Sequence, residues 1–142
     1  MLESENNILK TRENFLNSKS RVADITGVNI LLGIWNLLKP CPTVRGESPE
    51  QFFGFNPIEK HGFSELPSYL GIISCCAVLD ILGFQSEPKC RKIKQIPNIM
   101  SDAGHIAMGS YCDVILSNDK KLVNRAKAIF EFRDIQTKVI EI

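Results

Sequence analysis

The spacing of apolar residues divides the chain into short candidate elements separated by polar stretches. Residues 2–19 carry Leu2, Ile8, Leu9, Phe15 and Leu16 loosely on one side, a weak helical pattern. The segment VADITGVNILLGIWNLL, starting at Val22, is more apolar. Gly27 and Gly33 punctuate it, so strand-then-helix and one long helix fit equally, and Pro40 ends either. Residues 40–68 hold five prolines and read as loop, with Phe52, Phe53, Phe55 and Phe63 available to pin it to a core. From Pro67 or Ser68 to Leu82 the pattern is a buried helix. Leu70, Ile73, Ala77 and Ile81 form one stripe, Ile72, Cys76 and Leu79 lie beside it, and Gly83 suits the position after its end.

The last 42 residues are the most regular. Ser101 can cap a helix from Asp102 to about Tyr111. Val114-Ile115-Leu116-Ser117 is a short apolar run of the kind found in a central parallel strand. Asn118 or Asp119 then caps a second helix to about Arg133, with Leu122, Ala126, Ile129 and Phe130 inward and Lys120, Lys121, Asn124, Arg125 and Lys127 outward. Thr137 to Ile142 reads as another strand. The 19-residue link from Ser117 to Thr137 suits a helical crossover between parallel strands. The expected class is α/β, in a single domain spanning residues 1–142 with 1–20 as a peripheral helical extension.

Composition narrows the function classes. Seventeen basic residues against sixteen acidic ones leave a net charge of +1, so no overall basic field points to nucleic acid or membrane, and a polyanion grip must be local. Lys89, Arg91, Lys92 and Lys94 make one short basic cluster and the last helix another. The apolar runs Ile25–Leu38 and Tyr69–Leu79 are 14 and 11 residues, short of the roughly 20 a bilayer requires. The polar, acid-bearing first residues read as no secretory signal. Five cysteines without a C-x-x-C pair point to buried thiols in a reducing cytosol.

The chemistry concentrates on acids. Asp119 follows the C-terminal end of the apolar strand, the edge where open α/β sheets form ligand crevices. If the preceding helix runs antiparallel to that strand, Asp102 meets Asp119 from 17 residues away. Two carboxylates brought together need an offset, and a hard divalent cation supplies it. Asp113 precedes the strand and belongs at its opposite edge, a third and lesser candidate. Ser117 and Asn118 fill the turn, where hydroxyl and amide can bond Asp119 or a phosphate, and Lys120, Lys121 and Arg125 supply positive charge beside it. Each acid also has a plainer use. Asp119 suits a helix cap, Asp102 suits a helix first turn, and His105 suits solvent. Asp80, inside the apolar helix, reads as a residue of its exposed end. No nucleophile elbow, phosphate-cradling glycine loop or His-rich metal motif is present.

Residues 98–142 resemble the C-terminal half of PIN domains, a metal-dependent nuclease fold of many bacterial and archaeal toxins. The resemblance is carried by Asp102, Ile106 and Ala107 in a helix opening with Asp, then Ser117-Asn118-Asp119 at the end of a short apolar strand, then a basic helix. It implies a three-layer domain with a central parallel sheet flanked by helices, RNA as substrate, Mg²⁺ or Mn²⁺ as cofactor, and Asp102 and Asp119 among the catalytic acids. An antitoxin protein and a second copy of the chain stand as open partners. The front half departs from the pattern: Asp24-Ile25-Thr26-Gly27-Val28-Asn29 has a different spacing from the family's first strand, and Glu47, Glu50 and Glu65 compete as its mid-chain glutamate. The alternative is therefore a PIN-like module without turnover that binds RNA or a protein.

Overall fold

The computed structural model describes residues 22, 25–56, 68–85 and 96–142. The elements run α1 (Ile30–Leu38), a 3-10 turn (Pro42–Val44), α2 (Pro49–Phe52), α3 (Ser68–Leu82), α4 (Ile96–Gly109), β1 (Val114–Ser117), α5 (Lys120–Arg133) and β2 (Lys138–Glu141). The weak helix read at 2–19, Phe63, Glu65, Asp24 and the cluster from Lys89 to Lys94 lie outside the described residues. Among the described residues no helix is long and apolar enough to cross a membrane.

Mixed helices and a small parallel sheet make this an α/β arrangement. β1 and β2 pair in parallel, Val114 opposite Lys138 and Ser117 opposite Glu141, with α5 as the crossover. Thr137 locks the joint, its hydroxyl within hydrogen-bond reach of the Gly109, Ser110 and Cys112 carbonyls, nearest Cys112 at 2.7 Å. The fully apolar run at 114–117 led to the expectation of a central strand. Among the described residues, β1 has a partner on one side only. Ile115 and Val139 turn inward against the core, whereas Leu116 is 60% exposed and Val114 and Ile140 lie open with it.

The core gathers the helices around α5. In α1, Leu31, Ile34, Trp35 and Leu38 repeat at helical spacing and are buried; no strand precedes them at 25–29. The described part of the proline-rich loop, residues 40–56, is pinned by Phe52, Phe53 and Phe55, all buried. Trp35, Phe52, Phe53, Phe132 and Phe55 form a chain of ring contacts with centroids 5.2–5.8 Å apart. Ser48 and Gln51 close a capping box at the start of α2. In α3 the buried face is Gly71, Ile72, Cys75, Cys76, Val78 and Leu79, whereas Leu70 and Ala77, from the expected stripe, are exposed. A helix apolar nearly all round contains no pattern to choose its inward face, so its neighbours choose it. Gly71 allows one of them, Phe55, to approach so closely that an added Cβ would stand 2.6 Å from Phe55 Cδ1.

Candidate functional site

Three carboxylates line one small cleft, each delivered by a different element. Asp119 comes from the end of β1, Asp102 from α4 and Asp80 from the last turn of α3, and Gln85, Ile106, Lys121, Leu122 and Arg125 complete the lining. The cleft holds about 30 Å³, room for roughly two water-sized spheres.

Asp119 sits in an extended conformation as the N-cap of α5. Its Oδ1 accepts hydrogen bonds from the backbone N–H groups of Lys121 (2.9 Å) and Leu122 (3.2 Å), two of the donors a helix start leaves without intrahelical partners. Ser117 Oγ accepts from the Asp119 N–H at 3.1 Å, so its hydroxyl builds the turn. The plain role of Asp119 is thus real, and it coexists with its place in the cleft.

Asp102 reaches the cleft by a different route from the expected one. The helix begins at Ile96, not after Ser101, so Asp102 lies in mid-helix and gains nothing from the positive end of the dipole. Pro97 explains the earlier start, since proline suits a first turn where its missing N–H is not needed. From Gly109 back to Asp102 is seven residues, about 10 Å of helix. The four residues of β1 span about 13 Å. The two lengths set Asp102 near the end of the strand whichever residue starts the helix. Partial burial, and then the Asp119 charge, raise the Asp102 carboxyl above the usual aspartate range. Asp80 adds to the rise, and His105 and Arg125 oppose it.

Arg125 was expected on the outer face of α5, yet it is only 6% exposed. Position 125 belongs to the same helical stripe as Leu122, Ala126 and Ile129, and a partner makes burial of its charge tolerable. Its Nη2 donates to Asp80 Oδ1 at 2.6 Å and to the carbonyls of Phe84 (3.2 Å) and Gln85 (3.1 Å). Its Nε is buried with no hydrogen-bond partner among the described residues. Asp80 in turn is held by the end of α3. Gly83 takes φ 80°, its N–H donates to the Asp80 carbonyl, and the Phe84 N–H donates to the Leu79 carbonyl, a Schellman closure. A carboxylate near a helix C-terminus is disfavoured by the dipole, and the Arg125 guanidinium offsets that. Asp80 therefore belongs to the cleft rather than to an exposed helix end. The signal in the sequence was a lone acid in an apolar helix together with a lone arginine in an apolar stripe.

The remaining candidates divide. Lys121 lines the cleft; Lys120 and Asn118 are exposed and do not. His105 is exposed and outside the lining. Asp113, at the start of β1, lines a separate hollow of about 450 Å³ with Tyr111 and Lys138, away from Asp102 and Asp119. Glu47 and Glu50 do not line the acidic cleft. Among the described residues, no group of three or more His, Cys, Asp or Glu side chains is arranged to hold a metal ion.

No family model, curated protein or solved structure matches the chain.

Proposed function

We propose that the chain is a PIN-type endoribonuclease that works with Mg²⁺ or Mn²⁺, in a three-layer PIN-like domain of which the described helices and parallel strand pair form part. The observation that carries this reading is the meeting of Asp102 and Asp119 at one cleft, with Asp102 driven toward protonation by burial and by the charge of Asp119. A cation relieves that conflict, and carboxylate oxygens are the donors a hard divalent ion takes. Such an ion is commonly held by one or two carboxylates and completed by water and substrate phosphate, so Asp102 and Asp119 suffice as protein ligands. When bound it supplies Lewis-acid stabilisation of the charge that builds up as a phosphodiester is cleaved. The protein contributes the rest. Asp119 is oriented by its cap bonds, Asp80 is kept in place by Arg125, and Lys121 lines the cleft as a cation for an incoming phosphate. A toxin role beside an antitoxin belongs to the same proposal.

The second reading, a module that binds without turnover, is favoured by one observation: one oxygen of Asp119 is already committed to capping α5. Thermal melting with and without millimolar Mn²⁺ separates the two. An ion at a hundred times its Kd stabilises the fold by about 2.7 kcal/mol, and Asp119→Asn, which preserves a good capping residue, abolishes the rise. No shift in the parent protein favours the inert module. RNA cleavage that survives both Asp102→Asn and Asp119→Asn refutes the mechanism.

A further inference from the structure

A second cavity, of about 220 Å³, adjoins the acidic cleft, and Gln85 lines both. Its apolar lining is Phe84 and Ala128, both buried, with Ile25 and Ile30 half-buried. Polar groups are few: besides the hydroxyl of the exposed Thr26, the amides of Gln85 and Asn124 and the ammonium of the exposed Lys127 line the space. The Glu131 carboxylate also lines it, but its Oε1 accepts the Asn29 N–H at 3.0 Å and so fastens the segment leading into α1 to α5. That segment turns through Gly27 (φ 99°) and Asn29 (φ 55°), conformations suited to those two residues.

Gln85 is placed with unusual care. It has φ 49°, a left-handed backbone that a glutamine rarely adopts, and its carbonyl is bonded to Arg125 Nη2. The buried guanidinium that holds Asp80 at the cleft therefore also holds Gln85 at the boundary between the two cavities. On α5, Lys121 lines the cleft and Asn124, three residues on, lines the cavity, so the two spaces are served by neighbouring side chains whose Cβ atoms stand about 5–6 Å apart. The acidic cleft is too small for more than an ion and its waters, and the larger space lies beside it.

We propose that this cavity takes one unstacked nucleobase of an RNA strand, with the Gln85 and Asn124 amides meeting its hydrogen-bonding edge and Lys127 a neighbouring phosphate. The proposal deepens the ribonuclease reading and rests on it for the position of the adjoining phosphate. An apolar slot with two amides, each both donor and acceptor, matches a flat ring with mixed donors and acceptors on its rim, the way unpaired RNA bases are recognised. One Glu131 oxygen is tied into the wall, and of the neutral groups in the lining the two amides alone offer both a donor NH₂ and a carbonyl acceptor.

The test titrates the full chain with each of the four nucleoside 5′-monophosphates in EDTA, followed by amide NMR shifts, and then adds a short single-stranded RNA. One base is expected to bind in preference, with shifts at residues 25–30 and 124–131, and the RNA displaces it. Asn124→Asp, nearly the same shape but without the amide donors, weakens the preferred base about fivefold to tenfold. Lys127→Ala, at an exposed position, weakens the RNA more than the mononucleotide. No binding, equal binding of all four, or a bound mononucleotide that RNA does not displace overturns the proposal. Metal-dependent RNA cleavage by a protein with no base binding also overturns it and leaves the ribonuclease reading standing. Base binding and RNA displacement without cleavage support the cavity and refute that reading instead.

Discussion

Replacing Asp80 by Asn tests the link between α3 and α5. The Arg125 and Asp80 side chains are 7% and 14% exposed and 2.6 Å apart, so water screens the pair poorly. With Asp80 neutral, the guanidinium keeps its bonds to the Phe84 and Gln85 carbonyls, but its buried charge loses its one directly bonded carboxylate and keeps only the weaker pull of Asp102. Breaking a buried pair by removing one partner costs about 3–5 kcal/mol. Two smaller effects oppose this: relief of Asp80 repulsion on Asp102, and removal of an acid from a helix C-terminus, about 0.3–1 kcal/mol. The expected net loss is about 2–4 kcal/mol, a large share of the roughly 5–15 kcal/mol that holds a domain folded. Urea unfolding followed by circular dichroism should show a lower midpoint at unchanged slope. Asp80→Asn with Arg125→Met should recover part of the loss, since an apolar replacement of both partners removes the stranded charge. A single-variant loss under about 0.5 kcal/mol would place the pair in the class of solvated surface bridges and refute the reasoning.

Gly71→Ala places a methyl 2.6 Å from the buried Phe55 ring, which is also packed against Phe132 and Arg133. Overpacking of about 1–3 kcal/mol should outweigh the ~1 kcal/mol helix gain, and a higher melting temperature would contradict the close approach. Burial raises the Glu47 carboxyl, so the folded state binds its proton more tightly than the unfolded chain does. Its contribution is full below the unfolded value, near pH 4.3, and is lost as pH rises through the folded one. Glu47→Gln should therefore stabilise the fold at neutral pH and lose that advantage in acid; a pH-independent difference in urea midpoint would refute this. Burial pushes Cys76 up to about 12 and Cys75 well above the usual thiol range, whereas Cys112 is exposed. At about pH 8 a maleimide followed by peptide mass mapping should modify Cys112 quickly and the adjacent pair only on unfolding.

Where chain pattern and neighbourhood agree, the elements were legible from spacing alone. α5 carries a cap at Asp119, an apolar stripe and a polar outer face, and it forms where those signals lie. The strands at 114–117 and 138–141 follow from short apolar runs at a crossover distance. The end of α3 at Gly83 follows from the residue best able to adopt a positive φ. These are local facts, decided within a few residues by capping, propensity and chirality.

The site depended on more. Spacing correctly suggested that Asp102 and Asp119 share an edge, because helix rise and strand rise are fixed lengths. It misplaced the start of α4, since Ser101 is as good a cap in isolation as Pro97 is a first-turn residue. It could not orient α3, where every face is apolar, nor recognise that Asp80 and Arg125, 45 residues apart, would be buried as one pair. A charge on an apolar face looks like a surface residue until its counter-charge is known, and only packing brings that counter-charge within 3 Å. The chain itself thus determined the helices, the strands and two of the acids through short-range chemistry. The third acid, the arginine that holds it and the cavity beside them were decided by tertiary contact, because the energy of burying a charge is set by what surrounds it.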